Sequence, residues 1–211
     1  MKLSIIVPYR DRQTHLDVFS EQIPEYIKDI DFDIVFVEQY DEKPFNRAKL
    51  LNIGFDYTKN TSDYFCFHDI DMIPTEADYS YPDKPYHMAT NVGQFGGSSA
   101  YPTYYGGVNI FNQEDFIKIN GYSNDFWGWG GEDDDLLNRV RFNGYDLYRR
   151  KGVYKSLIHK FNGPNHENYR NNVNKLNQKY DYSLDGLTTL KYELVGVNGI
   201  SDKIKLIKVK I

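Results

Sequence analysis

With 211 residues, 40% of them hydrophobic, the chain is long enough to bury a substantial core as one domain. Its 25 Lys and Arg against 30 Asp and Glu give a formal net charge of -5, which excludes a broadly basic surface for nucleic acid. One cysteine, Cys66, excludes an internal disulfide, and the short run after Met1-Lys2 is too brief for a signal peptide or a stable membrane span.

Residues 3–8 form a short continuous apolar run, the pattern of a strand buried on both faces of a parallel sheet. The polar loop after it carries Arg10 and Arg12, either ordinary surface charges or a grip on a diphosphate or base at the carboxyl end of a first strand. Residues 13–28 read as a helix with Leu16, Phe19, Ile23 and Ile27 on one side and a kink or break at Pro24. A second strand covers 32–38. A helix follows Pro44, with Leu50 and Ile53 facing the sheet and Arg47 in its first turn. A third strand, 63–71, ends in Asp69 and Asp71, spaced to present carboxylates to a hard divalent cation that also touches phosphates.

Further strands are expected at 86–90 and 104–111, the latter opened by Gly106-Gly107, and a short helix at 113–120 capped by Gly121. Residues 126–135, Phe-Trp-Gly-Trp-Gly-Gly-Glu-Asp-Asp-Asp, combine flat indole faces, bendable backbone and four consecutive carboxylates. Glycine and adjacent like charges weaken a plain surface helix, so this stretch reads as a site that leads into a helix through Leu136, Leu137 and Val140. Strands at 146–150 and 153–159 follow, the second ending in His159, either a surface histidine or a metal ligand. The polar, turn-rich segment 161–172 suits a lid before a short helix. The tail alternates over 190–195 and 204–211 and predicts a hairpin turning at Asn198-Gly199, packed through one face. There is no internal repeat. The 19 Tyr and 13 Phe are mostly core, with some available to line a site for a polyhydroxylated ligand.

Several stretches together resemble the metazoan β-1,4-galactosyltransferases and their bacterial relatives. They are 6–12 (Ile-Val-Pro-Tyr-Arg-Asp-Arg), 45–55 (Phe-Asn-Arg-Ala-Lys-Leu-Leu-Asn-Ile-Gly-Phe), 68–74 (His-Asp-Ile-Asp-Met-Ile-Pro), 105–108 (Tyr-Gly-Gly-Val), 119–122 (Ile-Asn-Gly-Tyr), 127–139, and 185–187 (Asp-Gly-Leu). The resemblance runs in order along essentially the whole chain. It implies a single GT-A catalytic domain over 1–211: an α/β fold with a mostly parallel central sheet flanked by helices and a C-terminal β-hairpin.

The implied activity is inverting, metal-dependent transfer of galactose from UDP-galactose to a carbohydrate acceptor, in β-1,4 linkage, for a surface glycan assembled on the cytoplasmic side of a membrane. The implied cofactor is Mn2+, or Mg2+ or another divalent cation. By position, Pro8, Tyr9, Arg10, Arg12, Phe45, Arg47, Asp69, Ile70, Tyr104 and Trp129 would contact the donor. Trp129, Gly131, Asp133, Asp134 and Tyr169 would contact the acceptor. Asp71 and His159 would be metal ligands, and Asp133 the general base, assisted by Glu132. Crowding of these carboxylates raises the proton affinity of such a base.

The chain departs from the family at Ser156, where vertebrate members have a methionine ligand, leaving Ser156, His166 or a water to complete the sphere. Gln94 replaces a lysine, and Asn168-Tyr169 stands where an arginine-aromatic pair holds an N-acetyl group. Tyr104 occupies the position where tyrosine favours galactose over N-acetylgalactosamine. The alternatives are a UDP-N-acetylgalactosamine donor, or a non-catalytic carbohydrate-binding module.

Overall fold

The computed structural model describes residues 1–158, 167–178 and 181–211. Its centre is strand β1 (Leu3–Tyr9), every residue of which is buried. Successive side chains point to opposite faces of a strand. Leu3, Ile5 and Val7 accordingly join an apolar cluster with Leu16, Phe19 and Ile23 of helix α1 (Gln13–Tyr26). Ile6 turns the other way, into a second cluster with Leu50, Ile53 and Phe55 of helix α2 (Arg47–Thr58). The packing of α2 on the sheet is close enough that a Cβ on Gly54 would lie 2.2 Å from Ile6 Cγ2. Pro24 sits in the last turn of α1, which ends two residues later.

The main sheet also contains β2 (Phe32–Gln39), β3 (Tyr64–His68), β5 (Tyr86–His87), β7 (Val108–Asn112), β9 (Glu193–Ser201) and β10 (Ile204–Lys210), in the order β5-β7-β3-β1-β2-β10-β9. Strands β3, β1, β2 and β10 run parallel, and β7, β5 and β9 are antiparallel to their neighbours. The sheet is therefore mixed, with the expected parallel centre and antiparallel pairings at its margins. A smaller sheet, order β4-β8-β6, is made by β4 (Met72–Ala77), β8 (Gly152–Ser156) and β6 (Asn91–Val92). Helices α3 (Gln113–Lys118), α4 (Glu132–Phe142) and α5 (Tyr169–Leu176) complete the described strands and α-helices. Among the described residues no helix is long and apolar enough to cross a membrane.

The boundaries differ from the sequence expectation in several places. The third strand stops at His68 rather than running to Asp71, because the chain turns at 69–71 into β4. The chain leaves the main sheet after His87, buries Met88 and Ala89, and enters the smaller sheet at Asn91, so 86–90 is not one strand. Strand β7 starts at Val108 rather than at 104, because Gly107 has φ +79 and cannot be extended. Residues 146–150 form no strand; their backbone meets the sheet at a single bridge between Arg149 and His87. Asn198 and Gly199 do not turn: they lie within β9, opposite Leu206 and Lys205. The hairpin closes at 202–203 because the register of β10 is set by β2, from Ile204 opposite Ile34 to Val209 opposite Gln39. Strand β10 thereby extends the sheet edge to edge, burying Ile204, Ile207 and Val209.

Candidate active site

The carboxyl ends of β1 and β3 and the amino end of α2 converge on one cleft, and the amino end of α4 closes it. Strand β3 stops at His68, whose ring is buried between the carbonyl of Asp69 (2.9 Å) and the hydroxyl of Tyr79 (2.9 Å). The carbonyl only accepts, so Nδ1 carries the proton and Nε2 receives the Tyr79 hydroxyl. The Asp69 amide donates to Gly107 O (2.9 Å), and the chain then turns into β4 through Met72 N to Asp69 O (3.2 Å). Asp69 and Asp71 are thus held at a strand end by bonds that leave both carboxylates partly exposed.

Arg47, first residue of α2, joins the segments. Its Nε donates to Asp69 Oδ1 (2.6 Å) and its Nη1 to Asp133 Oδ1 (2.9 Å), with Glu132 Oε1 at 3.9 Å. The side chain is 11% exposed and, among the described residues, its Nη2 has no hydrogen-bond partner. An unpartnered buried donor of this kind is costly unless a ligand oxygen meets it. Burial pushes the Asp133 carboxyl up to about 8, with Glu132, Asp69 and Asp134 adding to the rise and Arg47 opposing it. The Asp133 side chain keeps 22% of its exposure, so a bound acceptor can reach a carboxylate that otherwise behaves as a buried one. Glu132 and Asp69 are raised for the same first reason, burial.

The glycines before α4 are required by the backbone. Gly128, Gly130 and Gly131 have φ of +78, +95 and +91, a region that glycine enters without a Cβ penalty, and Trp127 packs partly against the apolar cluster of α2. The loop is pinned from both sides: Gly128 N donates to Phe45 O (2.8 Å), and the buried Asn172 of α5 donates to Trp127 O (3.0 Å) and Trp129 O (3.3 Å). Trp129 lies against Tyr169, ring centres 5.3 Å apart. Across the cleft the Tyr101 hydroxyl donates to Asp134 (3.0 Å). Burial, then the nearby charges of Asp133 and Asp69, push the Tyr104 phenol far above its usual range.

The remaining predicted residues are distributed as follows. Arg10 stacks on Phe45 at 5.2 Å and donates to Lys43 O (2.9 Å). Arg12 is near enough to Asp69 to lower its proton affinity. Pro8 and Tyr9 are buried in β1, and the Ile70 side chain packs into the core, so these three shape the wall behind the cleft. Asp71 O accepts from Leu157 N (2.7 Å), and the neighbouring Ser156 hydroxyl accepts from Gln94 N (3.3 Å). His159 and His166, and residues 161–166 of the expected lid, lie outside the described residues. Among the described residues no three His, Cys, Asp or Glu gather into a metal cluster. The oxygen donors of this cleft, with carboxylates outnumbering guanidiniums, are nevertheless the set a hard divalent cation selects.

A family model described as the N-terminal region of glycosyl transferase group 7 matches residues 1–82, and one described as the N-terminal domain of galactosyltransferase matches 86–167. Human β-1,4-galactosyltransferase 1 is 35% identical over 205 residues, 93% of this chain. The chain belongs to the β-1,4-galactosyltransferase family. Mouse β-1,4-galactosyltransferase 4 is 34% identical over 206 residues. The chain spans 52% of the human relative and 60% of the mouse one, so it corresponds to part of each. Among solved structures, the catalytic domain of Drosophila β-1,4-galactosyltransferase 7 in complex with xylobiose superposes with a TM-score of 0.84 at 28% identity, covering 100% of this chain and 94% of that one. A mutant of the same Drosophila protein, in complex with manganese, UDP-Gal and xylobiose, superposes at 0.83 and 27% identity, with the same coverage. The GT-A-like α/β fold of the β-1,4-galactosyltransferases is thus the fold of this chain.

Sequence reading missed Asn172, Tyr101 and the spatial role of Gly106. A Cβ on Gly106 would lie 2.3 Å from Asp133 Oδ2. A Gly-Gly pair was visible, but the approach of a carboxylate 27 positions later in the chain has no local signal.

Proposed function

We propose that the chain is an inverting, metal-dependent glycosyltransferase that moves galactose from UDP-galactose to a sugar hydroxyl, in β-1,4 linkage. The observation that carries this reading is Arg47, which ties the strand-end aspartate Asp69 to Asp133 in one open cleft and keeps Nη2 for a ligand. A diphosphate oxygen is the ligand such a donor suits. The Drosophila relative seen with manganese, UDP-Gal and xylobiose supports the donor, the metal and a sugar acceptor.

In this reaction the acceptor O–H gives its proton to Asp133 as its oxygen bonds the anomeric carbon from the face opposite the diphosphate. The bond from that carbon to the diphosphate breaks, and its electrons leave with UDP. Phe45 and Arg10 offer a stacked surface for the uracil, Arg47 and Arg12 positive charge for the phosphates, and Trp129 with Tyr169 an aromatic wall for the sugars. Asp71, together with donor phosphate oxygens, would hold the cation, whose chemistry is to neutralise the charge developing on the departing diphosphate.

The primary test is UDP release from UDP-galactose, UDP-N-acetylgalactosamine and UDP-glucose, each with manganese, magnesium or EDTA and a panel of sugar acceptors including xylobiose. Manganese-dependent, acceptor-stimulated release from UDP-galactose is expected. UDP binding without release from any donor would overturn the catalytic reading, and glycan binding without UDP affinity would support a carbohydrate-binding module instead.

The titration of Asp133 gives a second expectation. The base must be ionised, and burial keeps it protonated up to about pH 8. Between about pH 6 and about pH 8, kcat/KM should therefore rise by about tenfold per unit and then flatten, because this ratio reports the free enzyme. A flat profile over that interval would remove Asp133 from the base role. Asp71→Ala should weaken UDP binding measured by titration with manganese by about tenfold or more, and leave binding in EDTA unchanged; equal affinities in both conditions would dismiss Asp71 as a ligand.

A further inference from the structure

Behind the cleft, a second polar cluster holds the segment that carries Tyr104 and Gly106. His87, fully buried, donates from Nε2 to Gly106 O (2.8 Å), because the carbonyl can only accept. Its Nδ1 is then the acceptor for Arg149 Nη1 (2.7 Å). Arg149 Nη2 continues to Pro102 O (2.8 Å) and Tyr104 O (3.2 Å). The imidazole also lies flat against Tyr105 (5.5 Å, 28°) and edge-on to Tyr104 (5.4 Å, 89°). Both clamp residues are anchored to the sheet margin: His87 N donates to Tyr148 O (3.0 Å), and Arg150 N to His87 O (3.0 Å). Residues 101–107 form no strand or helix, so two side chains supply the bonds that a ladder would supply elsewhere.

We propose that Arg149 and His87 are positioning residues, a clamp that fixes the carbonyls of residues 102, 104 and 106 and thereby sets Tyr104 and Gly106 against Asp133. The clamp touches no reacting atom. Its effect reaches the cleft through two contacts: Gly106, whose Cβ position is 2.3 Å from Asp133 Oδ2, and Gly107 O, which accepts from the Asp69 amide (2.9 Å). Release of the clamp lets the segment back away from the base and loosens the Asp69 backbone, whereas Arg10 and Phe45 on the opposite wall keep their stacking contact. The consequence for turnover rests on the galactosyltransferase reading; the clamp itself does not.

The test compares Arg149→Gln and Arg149→Lys with the parent protein. For Arg149→Gln, kcat for UDP release should fall by about tenfold to a hundredfold. The Kd for UDP with manganese should stay within about twofold of the parent. Arg149→Lys should recover part of kcat, since an ammonium reaches some of these acceptors but lacks the planar fork. Amide hydrogen exchange at Asp69, Tyr104 and Val108 should speed up in Arg149→Gln, with the amides of β1 unchanged. Unaltered exchange at those three amides overturns the proposal, and so does a loss of UDP affinity as large as the loss of kcat, which marks general damage. A parent that turns over no UDP-sugar overturns the transferase reading alone, and the exchange measurement then decides the clamp.

Discussion

Asp133→Asn is expected to lower kcat for transfer by about a thousandfold while UDP affinity changes by less than about threefold. The substitution keeps the shape of the side chain and an oxygen that can accept from Arg47 Nη1, now 2.9 Å from Asp133. Arg47 also keeps Asp69 at 2.6 Å, so the wall that would meet the diphosphate is preserved. What is lost is a carboxylate whose exposure and raised proton affinity suit removal of a hydroxyl proton. Stability should move the other way. The folded carboxyl titrates above its unfolded value, so its favourable contribution is complete at low pH and is lost as pH rises towards about 8. An amide has no such loss, and the thermal midpoint of Asp133→Asn should exceed that of the parent above about pH 8. Single-turnover release and UDP titration separate the two quantities; turnover equal to the parent's would end the base assignment.

Gly106→Ala should reduce kcat by about a hundredfold or more with the fold intact. Its Cβ would stand 2.3 Å from Asp133 Oδ2 and 2.7 Å from Tyr104 Cε2, distances at which something has to move. The backbone cannot retreat easily, because Gly106 O is held by His87 (2.8 Å) and by Val108 N (3.0 Å). Asp133 or Tyr104 must therefore shift, and a displacement of about 1 Å at reacting groups is enough for a loss of this size. Gly196→Ala is the matched control: no atom lies within 4 Å of its Cβ position, and it should leave kcat unchanged. Near-parental activity in Gly106→Ala would show that the contact with Asp133 is not maintained in the working enzyme.

The parallel centre of the sheet was legible because β1, β2 and β3 are buried on both faces and have to be written as apolar runs. The candidate site was legible where its residues are consecutive, as in Asp69-Ile70-Asp71 and Glu132-Asp133-Asp134. Strand β4 was not, since Pro74 and Glu76 interrupt its apolar pattern and its partner, β8, is some eighty positions away. Asn198-Gly199, a strong hairpin signal, lost to the pairing of β10 with β2, which fixes where the two strands can end. The clamp of His87 and Arg149 was invisible for a related reason: a lone histidine and one arginine of the basic run 149–151 gain meaning only when the sheet margin brings them together.

The place of β10 also bears on how the molecule is made. The outer edge of β2 is completed by residues 204–209, which leave the ribosome long after residues 34–39. During synthesis that edge, apolar and unpaired, has only transient company. That edge can be sealed only after residue 209 has emerged, so β1, β2 and β3 have to wait with an open margin, and that interval exposes them to mispairing with another copy of the chain.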